Sequence, residues 1–361
     1  MMAATQSAFG VYVHIPFCRH RCDYCAFATF TDRDHLMVKY LETLRVEIAS
    51  AIENGMPRAT SIFVGGGTPT RVMPEMLVEV LSTIPIVDGA EVTVECNPDD
   101  CNEHLMSVFR DGGVNRISMG VQSMQTHVLQ SLGRTHDPDN VVRAIDAARN
   151  QGIENFNLDI IYGAHGETVA DWAVTVERVV ALQPDHVSAY GLTVEPGTPL
   201  ADAPDRYPDD DLQADMYEVA DISLSAAGLD NYEISNWARP GYECRHNLLY
   251  WNQGDYRGFG SAAHSHEQGR RWWNVRTPDR YIELVGSGES AESSYEILDR
   301  EAQRLEALQL SLRLRKGVER DAFSDEDRQN LAHLLDETEG GRLQLNRNGR
   351  LLANEIALRL R

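Results

Sequence analysis

The sequence predicts an α/β protein built on a parallel sheet, and three observations carry the prediction. Short β-rich runs alternate with longer amphipathic segments through the first two-thirds of the chain. Residues of unusual chemistry recur at the carboxyl ends of those runs. The 361-residue chain is 42% hydrophobic and 24% charged, enough for a sizeable core and, at roughly 100–200 residues per domain, two domains. Six successive β–α units imply right-handed crossovers and a sheet that either opens as a doubly wound layer or curls into a partial barrel. In both forms chemistry is expected at the carboxyl ends of the strands.

Taken in order, the expected strands are residues 10–16, 61–64, 91–95, 116–121, 154–161 and 186–192, and the expected helices 35–54, 74–83, 103–110, 138–150 and 168–182. Asn97, Pro98, Asp99 and Asp100 supply turn and N-cap chemistry before one helix, and Gly112 with Gly113 a stop after it. Beyond Thr193 the pattern changes: a Pro/Gly-rich linker and three consecutive aspartates lead into a helix over 212–227, and 228–237 adds a strand. Residues 241–276 are aromatic and glycine-rich without a clean period. From about Ile297 the chain reads as helical and charged, with residues 342–351 shaped like a β-hairpin before a final helix, as in a winged-helix module; a small packing domain is its simpler reading.

Asp and Glu number 55 against 33 Lys and Arg, a formal charge of −22. That balance argues against nucleic-acid binding, which needs a cationic surface. No run approaches about 18 apolar residues, so no membrane span is expected. The first ten residues lack the basic start and apolar stretch of a secretory signal, so a cytoplasmic setting is expected. Six cysteines in such a chain do not read as a disulfide framework.

Three of them, Cys18, Cys22 and Cys25, follow the first strand. Gly65, Gly66, Gly67, Thr68 and Pro69 follow the second, Glu95 ends the third, Gln122 the fourth, Asp159 lies late in the fifth, and Tyr190 to Thr193 close the sixth. Six coincidences in register suggest one site. The C-x3-C-x2-C spacing puts three soft thiolates on one tight loop. A structural zinc site would want a fourth ligand, and no second cysteine pair exists; a disulfide would leave one thiol over. An iron–sulfur cluster with one iron lacking a protein donor is favoured, with zinc as the alternative. The glycine run lacks the Lys-Ser/Thr of a phosphate loop, so it reads as a close-approach segment or a plain turn. The 258–263 segment matches a dinucleotide fingerprint only superficially, without strand–helix context.

With Tyr24 just before the last cysteine, this motif resembles the signature of the radical S-adenosylmethionine (SAM) superfamily. The resemblance implies a [4Fe–4S] cluster whose open iron chelates SAM, and a partial (β/α)6 barrel. His14 to Cys18, Gly65 to Thr70, Gly120 to Ser123 and Tyr232 to Asn236 are similar to the oxygen-independent coproporphyrinogen III oxidases and their relatives. By that matching, Tyr12, Gly66, Gly67, Thr68 and Glu95 correspond to contacts with the cluster-bound SAM. Tyr24, Gln122, Arg134, Asp159 and Thr193 match positions that contact a second SAM in the oxidase. Individually, Glu95 also reads as a helix cap, and Arg134 with Asp159 as a structural ion pair.

Two departures separate this chain from the oxidases. Phe27 stands where they carry a fourth cysteine, and only 17 residues precede Cys18. Both features resemble the HemW-type heme chaperones, as do His246, Asn247, Tyr250 and Trp251 in an H-N-x-x-Y-W pattern. The resemblance implies heme contact there, since a neutral imidazole is a good axial ligand. A helix would place His246 and Tyr250 on one face, and the aromatic rings could cover a porphyrin. Cys244, His264 and His266 are rival ligands, and a hydrogen-bonded packing histidine is the plainer reading of His246.

The expectation is therefore a radical-SAM core over residues 1–240, a connecting segment with the heme motif over 241–295, and a helical or winged-helix-like domain over 296–361. The implied function is heme binding and delivery to acceptors, respiratory proteins among them, with the cluster and SAM as cofactors and heme as cargo. Expected partners exclude nucleic acid and include transient membrane association and a second copy of the chain. SAM cleavage is compatible with this reading. The alternative is oxidative decarboxylation of coproporphyrinogen III.

Overall fold

A computed structural model describes residues 8–360. The stretch read as lacking a secretory signal falls mostly on residues 1–7, outside the described residues. The first part of the chain runs β1 (Phe9–Ile15), α1 (Met37–Glu53), β2 (Ala59–Gly66), α2 (Pro74–Ser82), β3 (Ile86–Cys96), α3 (Glu103–Asp111), β4 (Arg116–Gln122), α4 (Thr126–Ser131), α5 (Pro138–Asn150), β5 (Phe156–Tyr162), α6 (Val169–Ala181) and β6 (His186–Gly191). Then come α7 (Asp210–Ala226), β7 (Asp230–Glu233), β8 (Asn236–Ala238), α8 (Arg245–Trp251), β9 (Asp255–Phe259), β10 (His264–Glu267), β11 (Arg270–Asn274), α9 (Pro278–Gly286) and β12 (Glu292–Ile297). The chain ends with α10 (Arg300–Ser311), α11 (Asp325–Leu331), β13 (Leu335–Glu337), β14 (Leu343–Leu345), α12 (Arg347–Leu351) and α13 (Ala353–Arg359).

The six expected strands pair in parallel and in sequence order, β1 to β6, as the β–α period requires. On β1, Phe9, Val11, Val13 and Ile15 are buried against the helices, while Tyr12 and His14 alternate onto the other face. One apolar core joins that outer face to the helices, with Trp172, Tyr40 and Phe109 among its largest members. The helices start where the sequence provides caps: Asn102 accepts from Leu105 N–H, and Thr168 with Asp171 forms a capping box at α6.

The sheet curls. β3 and β7 lie five strand spacings apart in the sheet order, roughly 24 Å if flat. Yet Cys244 links them, its thiol donating toward Glu91 Oε1 on β3 at 3.7 Å and its N–H to the Tyr232 hydroxyl on β7 at 3.3 Å. The concave face is correspondingly polar.

Several boundaries differ from expectation. The segment without a period, 241–276, contains α8 and three short strands, and β9 to β12 extend the main sheet beyond β1. Strands of four or five residues are too short to establish an alternation. The strand expected over 228–237 is the β7–β8 hairpin. The C-terminal hairpin lies upstream of the expected 342–351: β13 pairs with β14 through a turn at Thr338 and Gly341, the latter at φ 76°. Asn346, inside that expected hairpin span, instead caps α12 by accepting from Gly349 N–H at 2.9 Å.

The last 50 or so residues enclose their own apolar core, including Leu308, Phe323, Leu334, Leu345 and Ile356. Buried polar links join this module to the sheet. Arg350 pairs with Asp221 on α7 at 3.0 Å and donates to Asn231 on β7 at 2.7 Å, and Arg313 pairs with Glu233 at 2.7 Å.

Candidate functional site: the cysteine rim and the filled concave face

The cysteine loop leaves the carboxyl end of β1 and is closed at its base. Cys18 N–H donates to the Phe30 carbonyl at 3.0 Å, and Phe30 N–H to that of Pro16 at 2.7 Å. The glycine turn after β2 docks beside it: Gly67 N–H donates to Ile15 O at 2.7 Å and Thr68 N–H to Phe17 O at 2.8 Å. A Cβ on Gly67 would lie 2.8 Å from both carbonyl oxygens, and one on Gly66, at φ 108°, would collide with the His14 ring. Only glycine fits there.

Two donors aim at the sulfurs. The Thr68 hydroxyl donates to Cys18 Sγ at 3.5 Å, and Arg134 Nη1 to Cys22 Sγ at 3.7 Å while its Nη2 holds the Gly120 carbonyl at 3.0 Å. Arg21 brackets the Cys25 carbonyl at 3.1 and 2.9 Å. All three cysteines are free and half-buried. Burial pushes the Cys18 and Cys25 thiols up, a penalty that a bound iron cation reverses. Among the described residues no three His, Cys, Asp or Glu side chains converge as one metal ion requires. A multi-iron cluster, several ångströms across, makes no such demand. The donor set, three thiols with hydrogen bonds to two sulfurs, fits an iron–sulfur cluster.

Next to this loop, Glu95 Oε2 accepts from Gly66 N–H at 3.2 Å. Burial, reinforced by the nearby Asp159 carboxylate, lifts Glu95 to about 8. A carboxylate so placed lacks a cation, which the ammonium of a methionyl ligand would supply. Asp159 accepts from Ser118 at 2.9 Å and Asn157 at 2.8 Å, and burial raises it as well. Tyr12 places its hydroxyl 3.0 Å from His14 Nδ1. Gln122 sits at φ 62° where the β4–β5 register shifts, a strained position beside the Arg134-bound Gly120 carbonyl. Tyr24 is partly buried against the small apolar cluster that includes Val128, Leu132 and Leu200. Thr193 is exposed and its hydroxyl donates to Gly191 O at 3.3 Å, so no bond joins it to this group. The rim thus assembles the three cysteines with Gly66, Gly67, Thr68, Glu95 and Arg134, and Asp159 through its field on Glu95.

The H-N-x-x-Y-W segment is α8, and it fills the concave face rather than lining the rim. Its partner Ser61 lies five residues before Gly66 on β2, roughly 16 Å from that strand's end. Glu91 caps the helix, accepting from Arg245 N–H at 3.0 Å and His246 N–H at 3.1 Å. His246 and Tyr250 share a face, as helical spacing predicts, with the Tyr250 hydroxyl 2.7 Å from His246 Nε2. The imidazole is enclosed and hydrogen-bonded on both nitrogens. His246 is 0% exposed, its Nδ1 lies 2.9 Å from Ser61 Oγ, and its ring stacks on Phe63 at 5.5 Å. Both nitrogens are engaged because the sheet curls around the helix. Burial pushes the ring down to about 3, so it is neutral. Gly10 is a glycine because a Cβ would lie 2.9 Å from Leu249 and 3.1 Å from the His246 ring.

Elsewhere in the motif, Asn247 is half-buried, and Trp251 carries the Arg313 guanidinium 4.6 Å from its ring centroid. Tyr250 meets Tyr256 edge-on at 4.5 Å. Of the rival ligands, Cys244 faces Glu91 and burial pushes its thiol to about 12. His264 is exposed and stacked on Trp273 at 5.7 Å. Sequence reading missed Ser61 and Glu91. The alternation of polar 91, 93 and 95 with apolar 92 and 94 carried the signal for Glu91.

A curled sheet bearing a three-cysteine loop after its first strand defines a radical SAM protein, and residues 12–179 match the Radical SAM superfamily. The chain is 39% identical to a protein named heme chaperone HemW from Mycobacterium tuberculosis (strain ATCC 25618 / H37Rv), over 96% of this chain and 93% of that one. It is 34% identical to the protein of that name from Bacillus subtilis (strain 168), covering 96% and 97%. The solved coproporphyrinogen III oxidase HemN from Escherichia coli superposes with a TM-score of 0.84 at 24% identity, covering 98% and 90%, and shares the fold. The chain belongs to the HemW family of radical SAM proteins.

Proposed function

We propose that this protein binds heme and hands it to acceptor proteins, respiratory ones among them, in the cytoplasm. A [4Fe–4S] cluster on Cys18, Cys22 and Cys25 takes SAM exchangeably. The observation that carries the reading is near-full-length similarity, 39% over 96% of the chain, to proteins named heme chaperones. The cluster would supply an open iron for the methionyl group. Around it, Gly66 and Gly67, packed against His14 and the Ile15 and Phe17 carbonyls, would present their turn to the ligand, Glu95 would hold its ammonium, and Arg134 would offset negative charge at Cys22. Tyr12, Tyr24, Gln122, Asp159 and Thr193 would complete SAM binding.

Heme would dock where α8 meets the β9–β11 extension, with Asn247, Tyr250 and Trp251 framing it. His246 supports that frame by holding the Tyr250 hydroxyl; to bind iron itself it would first have to release it. Among the described residues no helix is long and apolar enough to cross a membrane. A charge of −22 would be repelled by anionic lipid, so docking through an acceptor protein, as monomer or homodimer, suits the chain better than lipid adhesion. The test is anaerobic titration of the cluster-loaded protein with hemin, paired with a coproporphyrinogen III turnover assay. One heme per chain without turnover is expected. Turnover without heme binding would overturn the proposal in favour of the decarboxylase.

A further inference from the structure

We propose that His266 on β10 is the ligand of the heme iron, and that Arg271, opposite it on β11, takes a heme propionate. The inference deepens the heme-binding reading above and rests on it.

His266 is 6% exposed, and its Nδ1 lies 3.0 Å from the Gly254 carbonyl. A carbonyl only accepts, so Nδ1 carries the hydrogen. In the neutral ring Nε2 then bears the lone pair, and that atom is buried without a hydrogen-bond partner. Among the described residues it is the one histidine nitrogen in that condition. The Asp255 carboxylate stands 4.0 Å from Nδ1. An imidazole anchored through one N–H on a backbone carbonyl is the arrangement that fixes the tautomer and raises the basicity of the ligating nitrogen. Leaving a buried acceptor unpaired is costly unless a ligand completes it.

The neighbouring groups suit a porphyrin. On the same face, His266 pairs in register with Tyr256 on one side and Arg271 on the other. The Tyr256 ring lies 6.3 Å from His266 and 4.5 Å from Tyr250, so an aromatic path joins α8 to this position. The Nε of Arg271 is also buried without a partner, while its other nitrogens pair with Glu306 and, at 2.7 Å, Glu296. Glu306 on α10 bonds Gln253 as well, at 2.6 Å. Heme contact with Arg271 therefore requires Glu306 on α10 to release these polar contacts. The other imidazole of the region, His246, has no free nitrogen.

The experiment titrates hemin into anaerobic, cluster-loaded full-length protein and reads the Soret and EPR ligand-field signatures. His266→Ala should lose the imidazole-bound signature and weaken hemin binding roughly tenfold or more. Added imidazole should restore the spectrum, and His246→Gln should keep it. Arg271→Gln should abolish the preference for hemin over its dimethyl ester. A His266→Ala complex with the wild-type spectrum overturns the iron assignment, and an unchanged ester preference overturns that of Arg271. Failure of the wild-type chain to take up hemin overturns the heme reading itself, which separates the two.

Discussion

Replacing His246 with alanine tests whether this residue is scaffold. The substitution strands two hydroxyls, Ser61 Oγ and Tyr250 OH, that now lie 2.9 and 2.7 Å from the ring nitrogens. Each costs about 1 kcal/mol or more when left unpaired in a buried setting. Removing the ring from its stack on Phe63 and its edge contact with Tyr250 adds roughly 2 kcal/mol of lost burial and packing. The expected loss is about 4 kcal/mol of unfolding free energy, read by urea denaturation of the anaerobic protein, against about 1 kcal/mol for Ser61→Ala. The pH dependence supplies an independent check. His246 is held at about 3 by burial, below its ordinary 6.5. Between those values the unfolded chain binds a proton that the folded chain refuses, so this contribution is present above pH 6.5 and is lost as pH falls, by about 1.4 kcal/mol per unit. His246→Gln should flatten that part of the stability profile. A His246→Ala protein as stable as the wild type would refute the scaffold role and return the residue to candidacy as a free ligand.

Three further outcomes are expected. Serine at Cys18, Cys22 or Cys25 should abolish most iron incorporation, measured by absorbance and iron assay, without altering the far-ultraviolet circular dichroism. SAM affinity, followed by equilibrium dialysis, should rise with pH up to about 8, where Glu95 ionises, and then level off; Glu95→Gln should bind weakly with a flat profile, and a wild-type slope of zero would remove Glu95 from the ammonium site. Arg350→Met breaks a buried pair with Asp221 and leaves its carboxylate with the half-exposed Arg347 and the Trp237 indole N–H, so stability should fall by about 3–5 kcal/mol and the C-terminal module should become protease-sensitive first.

Much of the architecture was legible locally. The β1–β6 order follows from alternating periods, and the register of Cys18, Gly66 and Glu95 at strand ends already pointed to one site, although Asp159, expected late in its strand, is the middle residue of β5. The β9–β12 extension was not legible, because its strands are short and carry aromatic and charged residues on both faces. Trp272 lies under Arg270 on one side while Trp273 stacks with His264 on the other. The C-terminal hairpin was misplaced because Asn346 serves equally as a turn residue and an N-cap, and only the register of β13 with β14 separates the two.

The heme motif shows most clearly where local information stops. Sequence spacing by itself determined the three-thiol loop, since ligands within eight residues meet through short-range chain geometry. It also determined that His246 and Tyr250 share a helical face. Whether that face meets solvent, a porphyrin or the protein's own sheet was decided by tertiary structure alone. Ser61, Glu91 and Phe63 stand more than 150 positions away along the chain, and they reach the helix only once the sheet has curled. The His266 nitrogen is likewise buried and unpaired, a condition created by what fails to approach it, which no spacing of residues encodes.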